Sequence, residues 1–226
     1  MRKTNSGFIF DLAKLRVLTA IISSILVVTL GFSTFNAYAG EGVTNRLVTG
    51  RFSLAALPTS ATGIYLNGDT GDDTKDASTA ENAVKTFEKA KEIVAANPGV
   101  KTIWVTGTVF VSGDVSLSGT NAILKRDPSF RGDVLRIDND ATLHDITIDG
   151  NKAAMQGSNS NVGNIVYIRG ANVDIKDGTV LQNNIVKDNN IAVGGAVYID
   201  LSTVNMTGGT IKNNQATWGG GVYLSG

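Results

Sequence analysis

Four carboxylates lie close together in one short stretch, at Asp69, Asp72, Asp73 and Asp76. Calcium takes several carboxylate and carbonyl oxygens on a flexible loop, so one interpretation is a calcium site; no cofactor other than calcium is a candidate. The spacing differs from that of an EF-hand loop, whose ligands fall at alternate positions. The other interpretation is a solvated turn before a helix, because a helix N-terminus favours negative charge. The spacing leaves both interpretations open.

Aromatic side chains recur at the centre of a repeated tripeptide. Val-Tyr-Ile at 166–168 returns at 197–199, and Val-Tyr-Leu follows at 222–224. If the flanking apolar residues point inward, the central residues point outward and lie one above another. Extended upstream, the same register predicts an outward column of Trp104, Arg136, Tyr167, Tyr198 and Tyr223. Such a column is a candidate platform for glycan rings; alternatively, its rings stack on each other and stiffen the sheet.

Acid–base chemistry has few candidates in this chain. The only histidine is His144, and Asp138, Asp140 and Asp145 are carboxylates near Arg136. Glycoside hydrolysis uses a pair of carboxyl groups, and proton transfer uses a positioned acid or base. Two acids and a base are common on any solvated face, and no spacing singles these residues out. The sequence predicts an exposed strand position for His144 and assigns no catalytic residue.

The elements that would carry these side chains are short strands in a repeat. Apolar and polar residues alternate in runs separated by Gly, Asn, Asp and Ser, which indicates half-buried β-strands. Three short strands in each repeat predict an all-β fold, a right-handed parallel β-helix solenoid. The residues predicted to point inward are Val166, Ile168, Val173, Ile175, Val197, Ile199, Val204 and Met206.

The repeat can be followed upstream. Leu-Arg-Ile at 135–137 precedes the copy at 166–168, and Ile-Trp-Val at 103–105 precedes both at nearly the same offset. This predicts about four turns of the solenoid, here called rungs, between 103 and 221, with a fifth begun. Glycine pairs at 194–195 and 219–220 predict sharp corners. Left-handed backbone at a strand end, with stacked amides, is predicted for Asn151, Asn183 and Asn214.

The start of the chain, 1–39, is typical of an export signal. Basic residues precede an apolar or small stretch at 17–32, and Ala-Tyr-Ala at 37–39 offers a cleavage site. The alternative is an uncleaved membrane anchor, although the apolar stretch is short for a membrane span. We therefore expect a signal peptide over 1–39, a lead-in segment over 40–62, and a secreted or cell-surface protein without membrane attachment after cleavage.

The net charge and the cysteine content limit the kinds of partner and of stabilisation to expect. The chain has 20 basic and 20 acidic residues, and loss of 1–39 removes four basic and one acidic, which leaves 16 and 19 and a net charge of −3. Nucleic-acid binding needs a basic face, so no such partner is expected. The chain has no cysteine. A solenoid needs no disulfides because each rung buries its neighbour, and cysteine-free export also suits Gram-positive surface proteins.

The segment 63–100 would precede the first rung and cover its open edge. It contains a strand, the acidic loop and a helix that the capping-box spacing of Ser78 and Glu81 predicts from there to about Ala96. The helix would cover the open edge of the first rung with its apolar face, formed by Ala83, Phe87, Ala90 and Val94. Rungs would then occupy 101–226. Because the sequence stops in mid-repeat, further C-terminal rungs of the same protein are expected.

Several motifs together resemble a known family. Tyr-Leu-Asn-Gly-Asp at 65–69, Ala-Val-Lys-Thr-Phe at 83–87 and Thr-Ile-Trp-Val at 102–105 resemble the start of secreted bacterial parallel β-helix surface proteins of the pectin-lyase-like superfamily. The stretch 141–151 resembles an early rung of these proteins. Gly-Gly-Ala-Val at 194–197, followed by Ile-Lys-Asn-Asn, is similar to repeats of polymorphic outer-membrane adhesins. The resemblance covers about 63–226 and is more specific for fold than for function.

Three alternatives for function remain open, and the resemblance implies the first two. The first is the N-terminal part of an exported surface protein, an adhesin or structural stalk whose partners are cell-wall, host or environmental glycans. The second is a polysaccharide lyase or glycoside hydrolase acting on an acidic polysaccharide. Hydrolases of this fold carry Asn-Thr-Asp, Asp-Asp, Gly-His-Gly and Arg-Ile-Lys motifs, and of these the chain has only Asp-Asp, at 72–73. The third is a truncated fragment without independent function.

Overall fold

The computed structural model describes residues 62–157, 161–187 and 192–226, all of which belong to one compact unit. This part of the chain is mostly β-structure, with fifteen strands and two helices. The strands are β1 Gly63–Asn67, β2 Thr102–Gly107, β3 Val109–Phe110, β4 Gly113–Val115, β5 Ile123–Arg126, β6 Leu135–Ile137, β7 Ala141–Leu143, β8 Thr147–Asp149, β9 Val166–Arg169, β10 Asn172–Ile175, β11 Val180–Gln182, β12 Val197–Asp200, β13 Thr203–Met206, β14 Thr210–Lys212 and β15 Val222–Ser225. The helices are α1 Phe87–Ala96 and α2 Lys152–Met155.

The strands form three sheets in which every pairing of named strands is parallel. Sheet A has the order β1-β2-β5-β8-β11-β14, sheet B has β15-β12-β9-β6-β3, and sheet C has β13-β10-β7-β4. From β2 onward, successive strands enter sheets A, B and C in turn. The described chain makes four such passes and begins a fifth with β14 and β15, as the sequence predicts. This arrangement is compatible with an all-β parallel solenoid.

One apolar cluster runs between the sheets, built from inward residues of strands β1 to β12, with Val204 and Ile211 packed against it. Most of the residues predicted to point inward are buried: Val166, Ile168, Val173, Ile175, Val197 and Ile199. The other two residues predicted to point inward are less buried than expected: Val204 is only partly buried, and Met206 is 45% exposed. Both lie in β13, the last strand of sheet C in the described structure, so neighbouring strands cover them from one side only.

Helix α1 begins later than the capping box predicts. The residue that caps it is Thr86, whose hydroxyl oxygen accepts a hydrogen bond from the Lys89 amide at 3.2 Å. The Ser78 hydroxyl instead donates to the Asp76 carboxylate at 2.7 Å and belongs to a turn. The predicted apolar face is otherwise confirmed for Phe87, Ala90 and Val94, whereas Ala83 is buried ahead of the helix. The helix packs against β1 and shares the same apolar core.

The corners after sheet A use left-handed backbone. Asn151 and Asn183 have φ of 56° and 54°, as predicted, but the third such residue is Asn213 at 57° and not Asn214. The reason is register: Thr210 pairs with Val180, so Asn213 holds the position after β14 that Asn183 holds after β11. The glycine corners are confirmed, with φ of 66° at Gly194 and 60° at Gly219. Asn and Gly adopt these conformations at little steric cost.

The predicted signal peptide and the lead-in segment up to residue 61 lie outside the described residues. Within the part of the chain that the structure describes, no helix is long and apolar enough to cross a membrane.

Candidate functional site

The tyrosine column forms on sheet B as the repeat predicts. Tyr167 pairs with Tyr198, and Tyr198 pairs with Tyr223. The first two ring centroids lie 5.0 Å apart with the rings tilted by 31°, and the second pair lies 5.7 Å apart with the rings nearly parallel at 4°. Arg136 pairs with Tyr167, and its guanidinium carbon lies 4.8 Å from the centre of that ring. Four of the five predicted residues are therefore brought together.

Trp104 is not in that column, so this part of the prediction is wrong. It lies in sheet A, where it pairs with Tyr65 on one side and with Lys125 on the other. The upstream residue that pairs with Arg136 is Phe110, which is 59% exposed. Only Thr108 separates β2 from β3, so the first pass is shorter than the later ones. Counting back from Arg136 by the repeat length of the later passes therefore ends in β2 of sheet A and not in β3 of sheet B.

The column is tied into the sheet by polar contacts. The Tyr167 hydroxyl donates to an Asp200 carboxylate oxygen at 3.2 Å, and burial together with this bond raises the pKa of Tyr167. The Arg136 Nε donates to both carboxylate oxygens of Asp138, at 3.0 and 3.1 Å, and this pairing raises the pKa of Arg136. The facing sides of the rings are covered by their neighbours, an arrangement that suits mutual stacking.

The four predicted calcium ligands all accept hydrogen bonds from the chain itself, two of them in local turns and two from residues farther along the sequence. Asp72 accepts hydrogen bonds from the amide and hydroxyl of Thr74 at 2.9 and 2.8 Å. Asp73 accepts from the Lys85 amide at 2.7 Å and from the amide and hydroxyl of Thr86 at 2.9 and 2.8 Å, so it fixes the start of α1. Asp76 binds Ser78 in the same way, and Asp69 accepts from the Thr108 amide at 3.0 Å.

These bonds account for the electrostatics of the acidic loop. Hydrogen bonds from Thr74 lower the pKa of Asp72, and those from Ser78 lower the pKa of Asp76. Burial acts to raise the pKa of Asp73, but the bonds from Thr86 and Lys85 outweigh it and leave this pKa lowered. In the described residues, no group of three or more acidic or histidine side chains is arranged to hold a metal ion.

His144 lies in a cleft that the sequence does not reveal. The cleft has a volume of about 590 Å³ and is lined by Asp114, Thr142, His144, Asp145, Lys176, Asp177 and Thr207. His144 follows directly after β7, and its side chain is 29% exposed, so it is a partly exposed residue at the end of a strand. Its Nε2 lies 2.7 Å from an Asp114 oxygen, and its Nδ1 lies 3.0 Å from an Asp145 oxygen.

This geometry favours the charged form of His144. A neutral imidazole has one N–H and can donate to one carboxylate, whereas the imidazolium donates to two. The hydrogen bonds to Asp145 and then Asp114 raise the pKa of His144 accordingly. Because both nitrogens are engaged, neither is free to accept a proton from a ligand. The Asp114–His144 contact spans neighbouring strands of sheet C, and finding it needs the register of β4 on β7, which no repeated residue marks.

The other carboxylates considered for catalysis lie apart from this cleft. Asp138 binds Arg136, and Asp140 accepts a hydrogen bond from the Asn172 amide at 2.8 Å. The structure therefore brings only Asp145 of these three beside His144.

In comparisons with protein-family models, with curated proteins and with solved structures, the chain matches none.

Proposed function

We propose that this chain is the N-terminal part of an exported cell-surface protein that folds as a right-handed parallel β-helix. In this proposal α1 covers the first rung, residues 1–39 direct export, and the solenoid serves as a stalk or adhesin that meets cell-wall, host or environmental glycans. A solenoid suits this task because each rung contacts only its neighbours, so length can be added without a larger core. Right-handedness follows from the strong preference of parallel crossover connections.

The tyrosine column is the observation that carries the proposal. Its rings and Arg136 lie against one another, one ring pair tilted and the other stacked, and each aromatic pair of this kind contributes about 0.5–1.5 kcal/mol beyond its buried area. The acidic loop likewise uses its carboxylates for turns and for the start of α1. The aromatic and acidic side chains that could have served binding or catalysis therefore stabilise the fold, and a structural stalk needs such stabilisation. The buried face of α1 supports its role as a cover, since it joins Ile64 of the first strand in one core.

The His144 cleft favours a second candidate, a lyase or hydrolase acting on an acidic polysaccharide. Histidine and carboxylates are the usual acids and bases of such reactions. In this cleft, however, a ligand would have to displace Asp114 or Asp145 before His144 could act as a base. The second candidate predicts release of new chain ends from a polyuronate, and replacement of His144 by Gln should abolish it. Activity that persists in His144→Gln would remove His144 from the reaction.

Surface exposure is the direct test of the first proposal. Intact source cells are treated briefly with trypsin, and the released peptides are identified by mass spectrometry. We expect peptides from 101–226 in the released fraction, and a mature N-terminus at Gly40. A matched variant with Ala37→Asp and Ala39→Asp should keep the segment 1–39, because small residues define the cleavage site. Peptides that appear only after lysis, with an uncleaved N-terminus, would contradict export and favour a fragment without this role.

A further inference from the structure

A second outward column lies on sheet A, on a different face from the tyrosines. The register of six adjacent strands aligns one residue from each, and neighbouring strands lie about 4.8 Å apart. Inward neighbours of these residues, such as Ile103 and Val105, are buried, so the aligned residues face outward. In strand order the sheet A column is Tyr65, Trp104, Lys125, Asp149, Gln182 and Lys212.

The aromatic end of this column differs from the tyrosine column. Trp104 is half-buried, and its Nε1 would lie 2.9 Å from a Cβ placed at Gly63, so the indole lies low over that glycine. The Lys125 Nζ lies 5.6 Å from the indole centre. Among the described side chains, no aromatic ring stacks on Trp104. The indole therefore carries a cation over its ring and no aromatic neighbour, so a flat ligand that takes its place on the ring meets the Lys125 ammonium as well.

Next to Trp104 the column enters a polar cleft of about 300 Å³. Its lining includes Lys125, Asp149, Asn151, Lys152, Gln156 and Asn183, so α2 and the left-handed corner residues form its wall. Asp149 is 7% exposed, and its carboxylate accepts bonds from the Asn151 amide at 2.8 Å and from the Gln182 and Asn183 side-chain amides at 3.2 and 2.7 Å. In the described part of the chain, neither Lys125 nor Lys152 makes an ion pair.

We propose that the sheet A column and this cleft bind an anionic saccharide. A sugar ring rests on Trp104, its neighbour's carboxylate or sulfate lies between the ammonium groups of Lys125 and Lys152, and its hydroxyls meet the amides of Asn151 and Gln156. Asp149 acts as a positioning residue, because it is satisfied by hydrogen bonds and holds the Asn183 amide in place. Trp104 and Asp149 lie two strands apart, about 10 Å, so the site spans a short oligosaccharide. The inference rests on the adhesin branch of the proposed function.

The chain has two tryptophans, so one substitution makes Trp104 a specific reporter. In Trp218→Phe, indole fluorescence is followed while a heparin hexasaccharide, a hyaluronan hexasaccharide or neutral chitohexaose is added. We expect saturable quenching or a shift with at least one anionic sugar and none with chitohexaose. Binding should weaken with salt, because exposed charges are screened over about 10 Å at 0.1 M.

Charge-matched variants distinguish binding at this site from non-specific electrostatic attraction between the protein and anionic sugars. Lys125→Gln with Lys152→Gln should weaken binding at least about tenfold, a loss of about 1.4 kcal/mol or more. Lys85→Gln with Lys91→Gln removes the same charge from residues that line neither cleft and should leave binding unchanged. Calorimetric titration of Trp104→Ala, checked for folding by circular dichroism, should show no binding. Equal effects of the two lysine pairs, tighter binding of chitohexaose, or no binding of any sugar would overturn the inference. None of these results bears on surface exposure, which the trypsin experiment measures by itself.

Discussion

His144 holds two carboxylates at once, and its charge depends on both. The Asp114 and Asp145 oxygens lie on opposite nitrogens of the ring, and Lys176 and Asp177 line the same cleft. The pKa of the folded form is therefore raised above its ordinary value of 6.5. A raised pKa of this kind stabilises the folded state fully below about pH 6.5, and the contribution disappears as pH rises through the folded pKa.

This charge can be measured directly because His144 is the only histidine. In an NMR titration, the ring protons of the folded protein should titrate above 6.5, and unfolding in urea should return the pKa to about that value. Asp114→Asn and Asp145→Asn should each lower the folded pKa. Asp138→Asn removes the same charge from another face and should change it little. A folded pKa at or below 6.5 would contradict the doubly bonded imidazolium.

At the scale of elements, the sequence predicts the late repeats well and the early ones poorly. Tyr167 and Tyr198 stand one repeat apart in sequence and pair in sheet B, because the chain between β9 and β12 has the length of the repeat. The predicted position of Trp104 is wrong because the length of the loops, and not the spacing of the strands, sets the number of residues between successive passes. Thr108 alone joins sheets A and B in the first pass, whereas 150–165 join them in a later one. Alternation predicts which side of a strand faces inward, but it carries no information about the length of the corner.

Helix α1 shows a second limit of local patterns. Ser78 and Glu81 match a capping box, yet Asp76 takes the Ser78 hydroxyl, and the real cap is Thr86. Spacing identifies residues that can cap a helix. The hydrogen bonds that the Lys85 and Thr86 amides donate to Asp73 decide which residue does so. The contact between His144 and Asp114 likewise depends on tertiary structure, since strand pairing brings these two residues together.

The cap can be tested by a pair of alanine substitutions. Thr86→Ala should destabilise the protein by about 1–2 kcal/mol, because it removes the N-cap acceptor together with a bond to Asp73. Ser78→Ala should cost less, since it removes only a bond within a turn. Urea unfolding followed by far-UV circular dichroism gives both values. A larger loss for Ser78→Ala than for Thr86→Ala would restore the earlier helix start.

At the scale of the whole molecule, polar groups join the passes as well as the apolar core. Arg126 is 0% exposed, and burial lowers its pKa to about 10, so it remains charged at neutral pH. Its guanidinium donates to the carbonyls of Gly132, Gly163 and Asn164, which lie in the corners of two successive passes. It also reaches the Asn184 side chain in the next corner at 3.4 Å. A charged group buried in this way is stable only where such partners surround it.

The passage of successive strands through three different parallel sheets defines the molecule, and it places Phe110 and not Trp104 beside Arg136. Because the chain has no cysteine, introduced pairs report this register without background. Adjacent strands lie about 4.8 Å apart, within the range of about 4.4–6.8 Å between Cα atoms that a disulfide spans.

The measurement is peptide mapping by mass spectrometry, with and without reductant, after mild oxidation of two double variants that share one position. Phe110→Cys with Arg136→Cys should form an intramolecular disulfide, because these residues are paired in sheet B. Trp104→Cys with Arg136→Cys should remain reduced, because Trp104 lies in sheet A. A disulfide in the second variant and none in the first would contradict the assignment of strands to the three sheets.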